Sequence, residues 1–175
     1  MQVGSTGLLQ QNTPSLNAAD VIALATDNNV AVFGGSPAFA EKIAQYCVEN
    51  GCQIPSEYIL VGGAPVYPRM LQVLCCAASS PEKVIVVYGS TEAEPVSFIR
   101  AADKLKVEEG SSVGMCVGRP VFEGSVKVVR VEEGVSGRAL ESVEAPLGET
   151  GELVLSGWHV NTYQVSRLVW SCDVM

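Results

Sequence analysis

Short apolar runs that alternate with helical segments are the feature that most constrains how this chain can fold. Residues 30–33, 58–61 and 84–87 are continuous apolar runs, a pattern typical of strands that are buried on both faces. Because helical segments separate the runs, we expect the strands to be parallel and joined by right-handed crossovers. The sequence therefore predicts an α/β fold built on a parallel sheet.

The helical segments carry their own start and stop signals. The first, over residues 17–28, begins with Asn17 as a helix N-cap. The second, over residues 36–51, has Pro37 at the first helical position and ends at a glycine. A third helix is predicted over residues 68–78. These signals are local, so they predict helix boundaries independently of the sheet.

The chain divides into three parts by composition. Residues 1–16 are polar and form a loose lead-in, and residues 17–110 carry the strand and helix alternation. Residues 111–175 contain two strand patterns, over 125–131 and 151–155, with no helix between them. Since a parallel sheet must be covered on both faces, we expect missing elements upstream and a truncated β-rich part downstream. The prediction is part of a parallel-sheet domain followed by a smaller β-rich section.

Charge and hydropathy exclude several classes of function. A net charge of −8 argues against a nucleic-acid partner, because phosphate neutralisation needs clustered Lys and Arg. No apolar run approaches the roughly 20 residues of a membrane span, and the start lacks the basic residues of a signal peptide. We therefore expect a cytoplasmic protein. With 47% hydrophobic but only 17% charged residues, the chain looks like a piece of a larger core.

The cysteines and the single histidine do not form a zinc pattern. The six cysteines include no C-x-x-C pair, and His159 is not spaced with them as a ligand. We expect reduced, mostly buried thiols rather than a disulfide framework. A lone histidine beside a strand is usually structural, so we expect His159 to be a structural or surface residue. Trp158 and Trp170 are interpreted as packing residues.

The segment Tyr88-Gly89-Ser90-Thr91-Glu92 follows a buried strand, at the place where ligands bind in open α/β sheets. The Tyr88 ring can pack on adenine, the Thr91 hydroxyl can bind the α-phosphate, and Glu92 can hold Mg²⁺. Gly89 lets the backbone come close. The alternative is a polar turn with no ligand.

The same segment resembles the Tyr-Gly-x-Thr-Glu motif of the acyl-adenylate-forming superfamily. Three further elements of that family have counterparts here in the same order: its Gly-Gly-Ala-Pro turn in Gly62-Gly63-Ala64-Pro65, its Gly-x-Pro element in Gly118-Arg119-Pro120, and its Gly-Glu-Leu element in Gly151-Glu152-Leu153. Agreement across independent features outweighs any one of them. Residues 32–38 and 91–97 look most similar to fatty-acyl-CoA-ligase-like members, including the β-lactone synthetases of olefin biosynthesis.

The resemblance implies an ATP-dependent ligase that activates a fatty or other carboxylic acid through an acyl-AMP intermediate. It implies ATP or AMP and Mg²⁺ as ligands, with CoA or another acceptor. Thr91 and Glu92 would be the catalytic residues, and Glu92 would also bind the metal. The alternative role for His159 under this resemblance is to line an acyl or pantetheine path. The nucleotide-binding residues implied are Gly62, Gly63, Ala64, Pro65, Tyr88, Gly89, Ser90, Thr91 and Asp173.

Three departures from the family pattern limit this expectation. The phosphate-binding loop has only a faint counterpart at residues 4–7, with no lysine following, and Ser171-Cys172 stand in place of the Thr-Gly pair before Asp173. We also expect the family's C-terminal small domain, with its lysine, to be absent from this chain. We therefore expect weak nucleotide binding and negligible turnover from this chain alone. The alternatives are a non-catalytic remnant that binds a partner and, with no G-x-G-x-x-G motif in its favour, an unrelated dinucleotide-binding domain.

Overall fold

Strands alternate with helices through the first half of the chain and give way to strands alone in the second. The structure, a computed structural model, describes residue 7 and residues 17–109, 114–130 and 144–160. The helices are α1 (Ala18–Asp27), α2 (Pro37–Glu49), α3 (Pro68–Ala77) and α4 (Ala101–Glu108). The strands are β1 (Val32–Gly35), β2 (Tyr58–Gly62), β3 (Val84–Ser90), β4 (Ala93–Arg100), β5 (Arg119–Pro120), β6 (Val126–Val129) and β7 (Glu152–Leu155).

The five strands β1 to β5 form one mixed sheet in sequence order. β1, β2 and β3 are parallel, which confirms the parallel core predicted from the apolar runs. β4 runs antiparallel to both β3 and β5, and neither β4 nor α4 was predicted. Only Thr91 and Glu92 separate β3 from β4, and so short a turn permits an antiparallel partner alone. The fold is α/β, with a parallel core and an antiparallel edge.

The helices cover one face of this sheet. α2 packs against β1 and β2, α1 and α3 pack on α2, and α4 contacts α3 as well as β3 and β4. Phe33, Ile59 and Val84 point to this side and are buried, whereas Val32 and Tyr58, which pair in register, are 49% and 40% exposed. The prediction of strands buried on both faces is therefore wrong for the described part of the chain. Successive right-handed crossovers in one direction place their helices on the same face.

The predicted helix boundaries agree with the structure. Asn17 caps α1, since its Oδ1 accepts a hydrogen bond from the amide of Ala19 at 3.1 Å. Pro37 and Pro68 begin α2 and α3, where a missing N–H costs nothing. β1 lies two residues later than predicted and ends in the glycines of the turn. The capping and proline signals thus predicted the helix boundaries more accurately than the apolar run predicted the bounds of β1.

A second, antiparallel sheet consists of β6 and β7 and confirms the β-rich section. Ion pairs join Lys127 to Glu144 and Arg130 to Glu149, each at 3.2 Å and partly exposed. Among the residues that the structure describes, no helix has both the length and the apolar character needed to cross a membrane.

A buried charge cluster attaches the segment before β5 to α4. The ammonium of Lys104 donates to Glu108 Oε1 and, at 2.7 Å, to the carbonyl of Cys116. The same Glu108 oxygen accepts from the amide of Cys116 at 2.7 Å. Ser97 on β4 donates to the carbonyl of Val117 at 2.7 Å. These bonds fix the path by which the chain returns to the sheet edge.

Candidate functional site

The two turns that the sequence singles out lie side by side. β2 and β3 are parallel neighbours, with Gly62 opposite Val87 in the register. The segment from Gly62 to Pro65 therefore leaves the sheet beside the segment from Tyr88 to Glu92. Carboxyl ends of parallel strands form the usual ligand edge of an α/β sheet. The fold brings these two predicted segments to a single edge.

Two glycines shape the first turn. A Cβ on Gly62 would lie 2.5 Å from the carbonyl oxygen of Val87, so only glycine fits this close approach of two strands. Gly63 has φ +81°, a left-handed conformation that favours glycine. Ala64 and Pro65 follow and are exposed. The turn therefore presents backbone, rather than large side chains, at the edge.

Most of the second segment is strand rather than turn. Tyr88, Gly89 and Ser90 belong to β3, with a register irregularity between Tyr88 and Ser90. Only Thr91, which is exposed, and Glu92, which is half-buried, form the turn. A Cβ on Gly89 would lie 2.9 Å from the carbonyl oxygen of Ala93. The hairpin therefore places Thr91 and Glu92 in a two-residue connection between β3 and β4.

The set of side chains that could bind a metal ion at this edge is small. Among the described residues, no group of three or more His, Cys, Asp or Glu side chains lies together. A carboxylate such as Glu92 is the kind of oxygen ligand that Mg²⁺ uses singly, alongside water and substrate phosphates. Asp173, the predicted ribose ligand, lies outside the described residues, as does the faint counterpart of the phosphate loop at residues 4–6.

Sequence reasoning missed a cluster beside the turn, formed by Phe122, Trp158 and His159. The ring centroids of Phe122 and His159 are 4.8 Å apart, and those of Trp158 and His159 are 6.0 Å apart. Val160 bridges to Ala93, the first residue of β4. These residues come from distant parts of the chain, so no local pattern could have identified the cluster.

Burial perturbs two thiols on the helices. It raises the pKa of Cys47 on α2 to about 12, and a hydrogen bond with Cys52 and the charge of that neighbour add to the rise. Burial also raises the pKa of Cys75 on α3, with smaller contributions from Cys76 and Glu82. All five cysteines within the described residues are free thiols, as predicted, and Cys172 lies outside that part of the chain. Only Cys47 of the five is buried, so the expectation of mostly buried thiols is wrong for the described residues.

Comparison with known proteins agrees with the geometry. The family model described as "AMP-binding enzyme" matches residues 1–162. The chain is 26% identical over 162 residues to the mouse (Mus musculus) medium-chain acyl-CoA ligase ACSF2, mitochondrial, covering 91% of this chain and 24% of that protein. The chain thus spans about a quarter of the length of this curated relative.

Solved structures share the fold. The N-terminal domain of FACL13 from Mycobacterium tuberculosis superimposes with a TM-score of 0.62 at 20% identity, over 86% of this chain and 34% of that one. The O-succinylbenzoate coenzyme A synthetase of Bacillus subtilis, solved with ATP and magnesium ion, gives a TM-score of 0.60 at 20% identity, over 84% and 27%. With a sheet edge of the expected build and a family match over most of its length, the chain belongs to the AMP-binding enzyme family.

Proposed function

We propose that this chain forms part of the nucleotide site of a ligase that activates a fatty or related carboxylic acid as an acyl-adenylate. The observation that carries the proposal is the register of β2 and β3, which sets Gly62 opposite Val87 and so aligns the two turns. In the proposed reaction, the acid's carboxylate attacks the α-phosphate of ATP and pyrophosphate leaves. CoA or another acceptor would then take the acyl group.

The residues of the two turns each have a role in the proposed reaction. The backbone of Gly62–Pro65 borders the adenine, whose ring packs against Tyr88. The exposed hydroxyl of Thr91 donates to the α-phosphate, and the carboxylate of Glu92 holds Mg²⁺, which neutralises phosphate charge. Catalysis by such a site consists of positioning and charge stabilisation. Asp173 is proposed to bind the ribose, and a cytoplasmic location is part of the same proposal.

Calorimetric titration of the purified chain with ATP or AMP in the presence of Mg²⁺ tests the nucleotide site. We expect saturable binding, weakened about tenfold by Glu92→Gln, equivalent to 1.4 kcal/mol. Glu94→Gln is the matched control, because Glu94 lies two residues away on β4 and is exposed. A folded chain that releases no heat with either nucleotide, or one that responds equally to both substitutions, would contradict the proposal.

A second candidate function is partner binding by a non-catalytic form of the chain. The uncovered face of the sheet favours it, since Val32, Tyr58 and Phe98 are 49%, 40% and 48% exposed. Apolar surface of this kind marks association or aggregation sites. Sedimentation velocity over a range of concentrations tests it. Association that Phe98→Ser reduces, in a chain that binds no nucleotide, would favour this function over the first.

A further inference from the structure

Buried polar atoms without a hydrogen-bond partner gather on either side of Ala93. Within the described part of the chain they occur on three side chains, Ser56, Ser90 and His159. Ser90 pairs with Ala93 across the β3–β4 hairpin, and Val160 bridges to Ala93 from the other side. Paired Cα atoms lie about 5 Å apart, so Ser90 and Val160 are roughly 10 Å apart. Two of the three unpartnered side chains therefore flank the candidate nucleotide turn.

Of these two side chains, His159 has more unpartnered polar atoms than Ser90. Both Nδ1 and Nε2 are buried and neither has a partner. A neutral imidazole carries one donor and one acceptor, and neither has a partner among the described protein groups. Buried groups in native proteins are nearly always satisfied, and an exception calls for a partner such as water, an ion or a ligand. The imidazole therefore offers hydrogen bonds to whichever of these partners binds beside it.

The surroundings of His159 indicate the kind of partner. Its described ring neighbours, Phe122 and Trp158, are aromatic and uncharged. A Cβ added at Gly157 would lie 2.8 Å from the imidazole, so the backbone closes one side of the ring. Trp158 is 84% exposed, so the prediction that it is a packing residue is wrong, and its ring lies edge-on to the imidazole. An apolar wall with one polar group fits an amphiphilic ligand better than a phosphate, which needs cations.

We infer that His159 binds the carboxyl group of an organic acid whose apolar chain lies against Phe122 and Trp158. The imidazole N–H donates to a carboxylate oxygen, a charge-assisted bond that is stronger than a neutral one. This inference rests on the proposed function, because it adds the acid to the nucleotide turn on the other side of Ala93. It develops the alternative stated for His159 from the sequence, a place on an acyl path, rather than the structural or surface role.

Nuclear magnetic resonance offers a direct test, because His159 is the only histidine of the chain and gives a single set of imidazole signals. The probes are octanoate, 1-octanol, which has the same chain length without the carboxyl group, and AMP with Mg²⁺. We expect octanoate to shift the His159 signals saturably and 1-octanol to leave them nearly unchanged. His159→Gln should weaken octanoate binding about tenfold and keep AMP binding within about twofold.

The outcomes separate this inference from the proposed function. Equal shifts with octanoate and 1-octanol, or no shift with octanoate, would overturn the role of His159 even if calorimetry shows AMP binding. A shift with AMP alone would also overturn it and assign His159 to the nucleotide. An octanoate shift in a chain that binds no AMP would support acid binding and reject the nucleotide site. If His159→Gln does not fold, the titrations of the unsubstituted chain still decide.

Discussion

The buried ammonium of Lys104 lies between Glu108 on α4 and the carbonyl of Cys116 before β5, and its removal tests how much this cluster stabilises the fold. The Lys104 side chain is 2% exposed and that of Glu108 is 9% exposed. Lys104→Met keeps the length of the side chain but removes its charge. Glu108 then loses its only described cationic partner, and the carbonyl of Cys116 loses its donor at 2.7 Å. The substitution leaves a buried carboxylate without a counter-charge.

The expected loss of unfolding free energy follows from the burial of this ion pair. Removing one partner of a buried ion pair costs about 3–5 kcal/mol, because the remaining charge stays desolvated. Lys106→Met on the same helix is the matched control, since the Lys106 and Asp103 side chains are 75% and 54% exposed and 3.7 Å apart. An exposed pair of this kind contributes about 0–1 kcal/mol. The two lysines should therefore differ by several-fold in their effect on stability.

Urea unfolding followed by circular dichroism measures both variants under the same conditions. We expect Lys104→Met to lower the unfolding free energy by about 3 kcal/mol or more, and Lys106→Met by less than about 1 kcal/mol. Adding Glu108→Met to Lys104→Met should recover part of the loss, because the unpaired carboxylate is gone. If the two single lysine variants unfold at the same urea concentration, the buried cluster does not stabilise the fold as argued.

Two further predictions concern single residues. Gly62→Ala should destabilise the chain by about 2 kcal/mol, because the added Cβ would lie 2.5 Å from the carbonyl oxygen of Val87. Gly34→Ala is the control and should have little effect, because nothing lies within 4 Å of its added Cβ. Equal thermal stability of the two variants would contradict the close approach at Gly62. Burial raises the pKa of Cys47 from 9.0 to about 12, so the unfolded state loses this proton first as the pH rises. Stability from this thiol is full below pH 9 and is lost as the pH rises toward 12, and Cys47→Ala should flatten that decline in the unfolding free energy.

Local chemistry explains why part of the fold was predictable. An asparagine that accepts an amide hydrogen two residues on, or a proline at the first position of a helix, acts within one turn of the chain. The helices α1, α2 and α3 were therefore predicted within a residue or two. The parallel order of β1, β2 and β3 followed from the intervening helices, because a crossover connection requires it. The strands β6 and β7 were also predicted from their residue pattern.

The candidate site was predictable only in part. The residues of the two turns were named from the sequence, and their proximity follows from parallel neighbouring strands. Their roles in nucleotide binding remain a proposal. The extension of β3 to Ser90 and the hairpin into β4 were not predicted. A polar Ser-Thr-Glu segment looks like a loop in sequence, and only pairing with Ala93 keeps Ser90 in the strand.

The sequence by itself determined the helix starts, the parallel core and the residues that meet at its carboxyl edge, because each depends on neighbours along the chain or on a simple rule of connection. The tertiary structure alone decided which face of the sheet stays uncovered, the burial of Lys104 against Cys116, and the position of His159 beside Ala93. Those features join residues that are remote in sequence. Their energies come from desolvation and contact, which arise only after the chain has folded.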